Sequence, residues 1–214
     1  MNKYAIIVGI EYSKLREKIP KVSSKIYQIR KKLIENEGYI YKNITILTDI
    51  STGKGAFYES LFRPTKVHIF REIERLCKKS YSFIDNFEFK FFYIGHGRNI
   101  YDSINQSNNE CMIPVCGNII ITDEIEHLLR AFNTNSNIEV ILDNYLCMNR
   151  FRFLYNYHDS IIIDRKDKPF IKVYSHVYMN EVSNNEFVDM INLAGNLIEQ
   201  YWENKNRIKN VFNN

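Results

Sequence analysis

Short apolar runs recur along this chain, and the stretches between them carry a helical period. YAIIVGI (Tyr4–Ile10), ITIL (Ile44–Leu47), FEFKFFYIG (Phe87–Gly95) and IEVILD (Ile138–Asp143) are too short to be helices of their own and rich in β-branched and aromatic residues. Ser160–Asp164 and Phe170–Tyr174 read as further strands. Between them, Ser23 or Ser24 is expected to cap a helix ending at Glu37, with Ile26, Ile29, Leu33 and Ile34 as its stripe and Gly38 as its C-terminal stop. Pro64-Thr65 opens a second helix, with Val67, Ile69, Ile73 and Leu76 spaced for burial. Thr122 is expected to cap a third, with Asp123 and Glu124 in its positive first turn. Glu186–Asn206 closes the chain as an amphipathic helix. Asn99–Asn109 is polar and reads as an exposed loop, with Cys111–Val115 as a short strand after it.

Strands that alternate with helices predict an α/β sandwich around a mainly parallel sheet. In such sheets functional residues gather at the carboxyl ends of strands. Two segments stand there. His96, between Gly95 and Gly97, follows the third strand, and Asp143–Cys147 follows the fourth. Flanking glycines let the backbone turn sharply and leave an imidazole exposed, and a thiol nucleophile needs such a base to favour its thiolate. The competing reading of Gly-His-Gly is a plain tight turn.

Composition removes several alternatives. A 214-residue chain with 45% hydrophobic residues supports one sizeable core, so residues 1–214 are read as a single domain. The formal net charge of +4 is modest, and the basic residues of 21–32 and the pair Arg150/Arg152 read as solvated helix faces. Nucleic-acid and membrane partners are therefore not expected. No apolar run reaches the roughly 18 residues of a membrane span, and the N-terminal apolar segment is too short for a signal peptide. Cys77, Cys111, Cys116 and Cys147 form no C-x-x-C pair, which suits free thiols in a reducing, cytoplasmic setting. No metal site is expected, since EIEHLL lacks the first histidine of a zinc helix. GKG at 53–55 is not a complete phosphate loop, and no glycine-rich turn follows the first strand, which weighs against a nucleotide-binding domain.

The order of motifs resembles the caspase-like cysteine peptidases, the metacaspase branch in particular. YAIIVGIEY is similar to that family's first strand, and ENEGYIYKNITILTD to its second. RPTKVHI resembles its helix start, and FFYIGHGRN its strand and histidine. ECMIPVCGNIIITDEIEHLL and NIEVILDNY resemble the segments that lead into the nucleophile motif D-x-C-H-S-G. The likeness runs from residue 3 to about residue 146 and fades past 150.

The resemblance implies a three-layer sandwich with a mainly parallel six-stranded sheet and helices on both faces. Its larger part would take in about 1–150 and its smaller part about 158–214. It also implies peptide-bond cleavage by a Cys/His dyad, a preference for Arg or Lys before the cleaved bond and, in many members, a need for calcium. By position the family's histidine falls on His96 and the opening aspartate of its nucleophile motif on Asp143. Tyr145 stands where the cysteine belongs, and Leu146-Cys147-Met148 replaces His-Ser-Gly. Cys116 replaces the aspartate after the family's Val-Pro, so the acidic residues that would hold a basic substrate side chain are not identified.

A phenol of pKa about 10 is largely protonated at neutral pH and is a poor acyl acceptor. The expectation is therefore a pseudopeptidase that binds a protein or peptide partner, with no cofactor and with calcium implied by the resemblance alone. The alternative is an active cysteine endopeptidase in which His96 works with a displaced Cys147. Along an extended strand Cys147 stands about 7 Å beyond Tyr145, whereas reacting atoms must approach to roughly 3–3.5 Å.

Overall fold

The computed structural model describes residues 2–13, 18–51, 53, 60–83, 86–102, 107–145 and 169–175. Its elements are β1 (Asn2–Gly9), α1 (Val22–Glu37), a 3₁₀ turn (Tyr41–Asn43), β2 (Ile44–Thr48), α2 (Lys66–Ser80), β3 (Phe87–Asp102), β4 (Ser107–Met112), β5 (Ile120–Ile121), α3 (Thr122–Arg130), β6 (Ser136–Tyr145) and β7 (Phe170–Ser175). Five strands pair in parallel, in the order β2-β1-β3-β6-β7. β3 outruns this sheet, and its far half pairs antiparallel with β4, which pairs antiparallel with β5. The mainly parallel α/β sandwich is present, with helices on both faces. The strand expected at 160–164 and the helix expected at 186–206 lie outside the described residues.

Four local expectations are corrected. Asn99–Asn109 is not one loop, because Asn99–Asp102 continues β3 and Ser107 opens β4. Cross-strand pairing holds this ribbon, and its polar sequence over 99–109 carries no apolar alternation. α1 begins at Val22 without a serine cap; its N-cap is Lys21, at φ 60° with no side-chain hydrogen bond. Thr122 is the first residue of α3 and is buried, while Glu124 reaches back to accept from the Ile121 N–H at 2.9 Å. Elsewhere Thr65 accepts from the His68 N–H and caps α2, and Gly38, at φ 73°, ends α1 as expected. Val67 is 67% exposed, because Ile69, Ile73 and Leu76 form the buried stripe and Val67 falls beside it.

The two faces of the sheet differ in chemistry. Toward α2 and α3, β3 sends Phe87, Phe89, Phe91 and Tyr93, all buried. Phe89 stacks on Phe132, just past α3, at 5.3 Å, and Phe87 stacks on Tyr4 of β1 at 5.1 Å. Each such ring contributes about 1.5–3 kcal/mol through burial. Toward α1, the alternate residues of the same strand are Glu88, Lys90, Phe92 and Ile94, all buried. Lys90 is fully buried, 2.6 Å from Glu37 at the end of α1 and 2.9 Å from Glu139 of β6. The Tyr39 hydroxyl donates to Glu88 at 2.7 Å. Near the other end of α1, Lys25 meets Asp143 at 2.8 Å, both buried.

Candidate functional site

The carboxyl ends of the central strands and the segments that follow them converge around His96. Gly95 precedes it for a packing reason: a Cβ there would lie 2.9 Å from the Tyr93 ring. The Tyr93 ring therefore folds over Gly95, and its hydroxyl donates to the His96 carbonyl at 3.2 Å. The Ile113 N–H donates to the same carbonyl at 3.0 Å, which ties the histidine to the segment after β4.

Tyr12 does most to hold this histidine, and the sequence reading did not single it out. It lies in the turn after β1 at φ 54°, a left-handed conformation uncommon for a tyrosine. Asp49, just past β2, stabilises that turn: its carboxylate accepts from the Glu11 N–H at 2.7 Å and the Tyr12 N–H at 2.8 Å. The turn brings the Tyr12 ring to 4.4 Å from the His96 ring, centroid to centroid, with the planes tilted by 33°. Its hydroxyl accepts from the His96 N–H at 2.9 Å and donates to the Ile113 carbonyl. Burial pushes this phenol up to about 12; its hydrogen bonds with Tyr93 and His96 pull the other way, and Asp49 adds to the rise. Tyr12 thus stays protonated at neutral pH and serves as a donor and acceptor, not as a base. The signals available in the sequence were an aromatic residue three positions past Gly9 and an aspartate closing the second strand.

β6 lies directly beside β3, in a register that pairs Ile94 with Asp143, Gly95 with Asn144 and His96 with Tyr145. Asp143 is 1% exposed and its carboxylate is engaged by Lys25 from the start of α1. That pair ties the helix to the edge of the sheet next to His96. Tyr145 is the last residue of β6, its backbone opposite that of His96. Cys147, the alternative nucleophile, lies outside the described residues.

Of the other thiols, Cys111 is buried, Cys116 is exposed in a turn at φ 81°, and Cys77 is partly buried, donating to the Ala131 carbonyl at 3.1 Å. Burial pushes the Cys77 thiol up, away from reactivity. Among the described residues no group of three or more His, Cys, Asp or Glu is placed to hold a metal ion. No helix among them is long and apolar enough to cross a membrane.

The arrangement can present a fixed, partly buried imidazole at the rim of a parallel sheet, with tyrosines and a neutralised carboxylate around it. The chain is similar to known proteins in sequence and in fold. Metacaspase-8 of Arabidopsis thaliana is 26% identical over 149 residues, taking in 67% of this chain and 36% of its own length. Metacaspase-7 of the same plant is 24% identical over 148 residues, taking in 67% of this chain and 34% of its own length. This chain thus spans about a third of the curated relatives it matches. In fold it is similar to the crystal structure of a Geobacter sulfurreducens protein, with a TM-score of 0.50 at 17% identity, over 67% of this chain and 50% of that one. The family model of the metacaspase, peptidase C14 domain matches residues 3–149. A match over that much of the sequence, from the first strand through the histidine to the end of β6, means that the chain belongs to the metacaspase family.

Proposed function

We propose that this protein is a metacaspase-like pseudopeptidase, which binds a peptide or protein segment at the rim around His96 and does not cleave it. One observation carries the reading: the register that sets Tyr145 opposite His96. Neighbouring strands run about 4.8 Å apart, so the strand position nearest the histidine, where the family resemblance calls for cysteine, holds a phenol. A phenol beside a histidine gains little nucleophilicity at neutral pH and does not reproduce a thiolate. The Lys25–Asp143 pair supports the same reading, since the acidic group at this rim already has a cation from its own chain.

The test is cleavage of a fluorogenic peptide panel with Arg, Lys or Asp before the reporter, with and without calcium, using wild type and Cys147→Ala. The expected result is no turnover above buffer from either folded protein. Binding is read in parallel from the His96 imidazole NMR signals on adding the Arg peptide, assigned by comparison with His96→Gln. Turnover that disappears in Cys147→Ala overturns the proposal and makes the protein a cysteine endopeptidase with a displaced nucleophile. Absence of both turnover and a His96 response overturns the binding role.

A further inference from the structure

One of the strongly basic segments of this chain runs along α1. Residues 21–43 hold six basic residues against Glu35 and Glu37, a net of +4, equal to the formal net charge of all 214 residues. Lys25 and Glu37 point inward, to Asp143 and Lys90, and remove one charge of each sign from the surface. The net of +4 that remains in this segment is carried by Lys21, Arg30, Lys31, Lys32 and Lys42 against Glu35, with Lys21, Lys31 and Lys42 exposed; residues 63–80 carry an equal net charge.

That surface is also aromatic. The Arg30 guanidinium lies over two rings, 5.9 Å from the centroid of Tyr27 and 5.4 Å from that of Tyr41. Tyr27 is 57% exposed, Tyr41 65% and the adjacent Ile40 58%. Large apolar side chains left in water beside a cation–π-stacked arginine have the composition of an interface hot spot. Both rings lie within cation–π range of the guanidinium, and a guanidinium's fork of N–H groups suits a planar carboxylate. Ile40 adds aliphatic surface, which a peptide side chain can cover and a phosphate backbone cannot use.

We propose that the outer face of α1 with the 3₁₀ turn is a docking surface for an acidic segment of a partner protein. Carboxylates of that segment take Arg30 and the neighbouring lysines, and an apolar side chain packs against Ile40 and the tyrosines. The surface lies on the side of α1 away from the sheet, and the proposal does not depend on what His96 does.

Fluorescence anisotropy tests it with a fluorescein-labelled acidic peptide of glutamates interrupted by one phenylalanine and one leucine. Two further probes are the same peptide with serine at both apolar positions and an oligothymidine of equal length. The expected result is binding of the first peptide, weakened about tenfold by Arg30→Lys although the net charge is unchanged. Tyr41→Ala weakens it similarly, whereas Lys78→Ala on the exposed side of α2 leaves it unchanged. The altered side chains of α1 and the turn face solvent, and circular dichroism checks that the fold is retained. Equal affinity of Arg30→Lys and wild type overturns the proposal in favour of diffuse charge attraction. Equal binding of the serine peptide does the same. Tighter binding of oligothymidine makes the surface a nucleic-acid site, and no binding of any probe removes it as a docking surface.

Discussion

The two faces of the central sheet are built from the same strands by different means. Toward α2 and α3 the residues of β3 are Phe87, Phe89, Phe91 and Tyr93, and the layer is held by aromatic packing. Toward α1 the same strand offers Glu88 and Lys90 beside Phe92 and Ile94, and to apolar packing the layer adds buried ion pairs with Glu37 and Glu139. Dispersion and burial are undirected, so the first face tolerates shifts in how its rings meet. Buried charges tolerate none, because each carboxylate is costly once its cation is gone. The α1 face therefore fixes helix to sheet in one register. α1 bears both proposed functional features, through Lys25 beside the His96 rim and through Arg30 on its outer side.

The largest effect should come from breaking the ionic face. Lys90→Met keeps most of the side-chain volume and leaves Glu37 and Glu139 buried without their cation; the expected loss is about 3–5 kcal/mol in urea unfolding. A loss below about 1 kcal/mol would mean that the network is a bystander.

A smaller effect comes from alkali. Burial raises the Tyr12 phenol from 10.0 to about 12 in the folded protein. Its contribution is intact below pH 10 and is lost as pH rises through 12, because the unfolded chain releases the proton first. The expected fall over that window is about 2–3 kcal/mol from this group. Tyr39, pushed up by burial and then by Glu88, acts in the same direction. Tyr12→Phe should flatten the alkaline limb; an unchanged slope would remove Tyr12 from the account.

The smallest effect belongs to the apolar face. Phe89→Leu should cost about 1 kcal/mol, and equally at pH 5 and pH 9, since its stacking partner Phe132 carries no titratable group. A pH-dependent loss would break the contrast between the faces.

Much of this was legible in advance, and the failures have physical causes. Apolar runs located β1, β2, β3, β6 and β7, because strands buried in a parallel sheet must be apolar on both sides for most of their length. His96 was found by its flanking glycines, Tyr145 by its place in a motif. Of the β3–β4 ribbon only the end at Cys111-Met112 was legible, because the polar stretch 99–109 carries no apolar period. Tyr12 was missed because its role rests on a contact with His96, 84 residues away, through a turn held by Asp49. The serine cap of α1 was misplaced because packing of Val22 against the core set the start of that helix.

By itself, then, the order of apolar runs and turn residues determined the elements, the class of fold and the strand ends where a site would lie. Burial of apolar surface depends on local period, and a period can be read from one strand at a time. Which charges are buried was decided only by the tertiary structure. Lys90 sits among phenylalanines in FEFKFF and is held by Glu37, 53 residues earlier, while Asp143 is met by Lys25, 118 residues earlier. A charge enters a core only where a partner waits for it, and that pairing exists only once distant segments have come together.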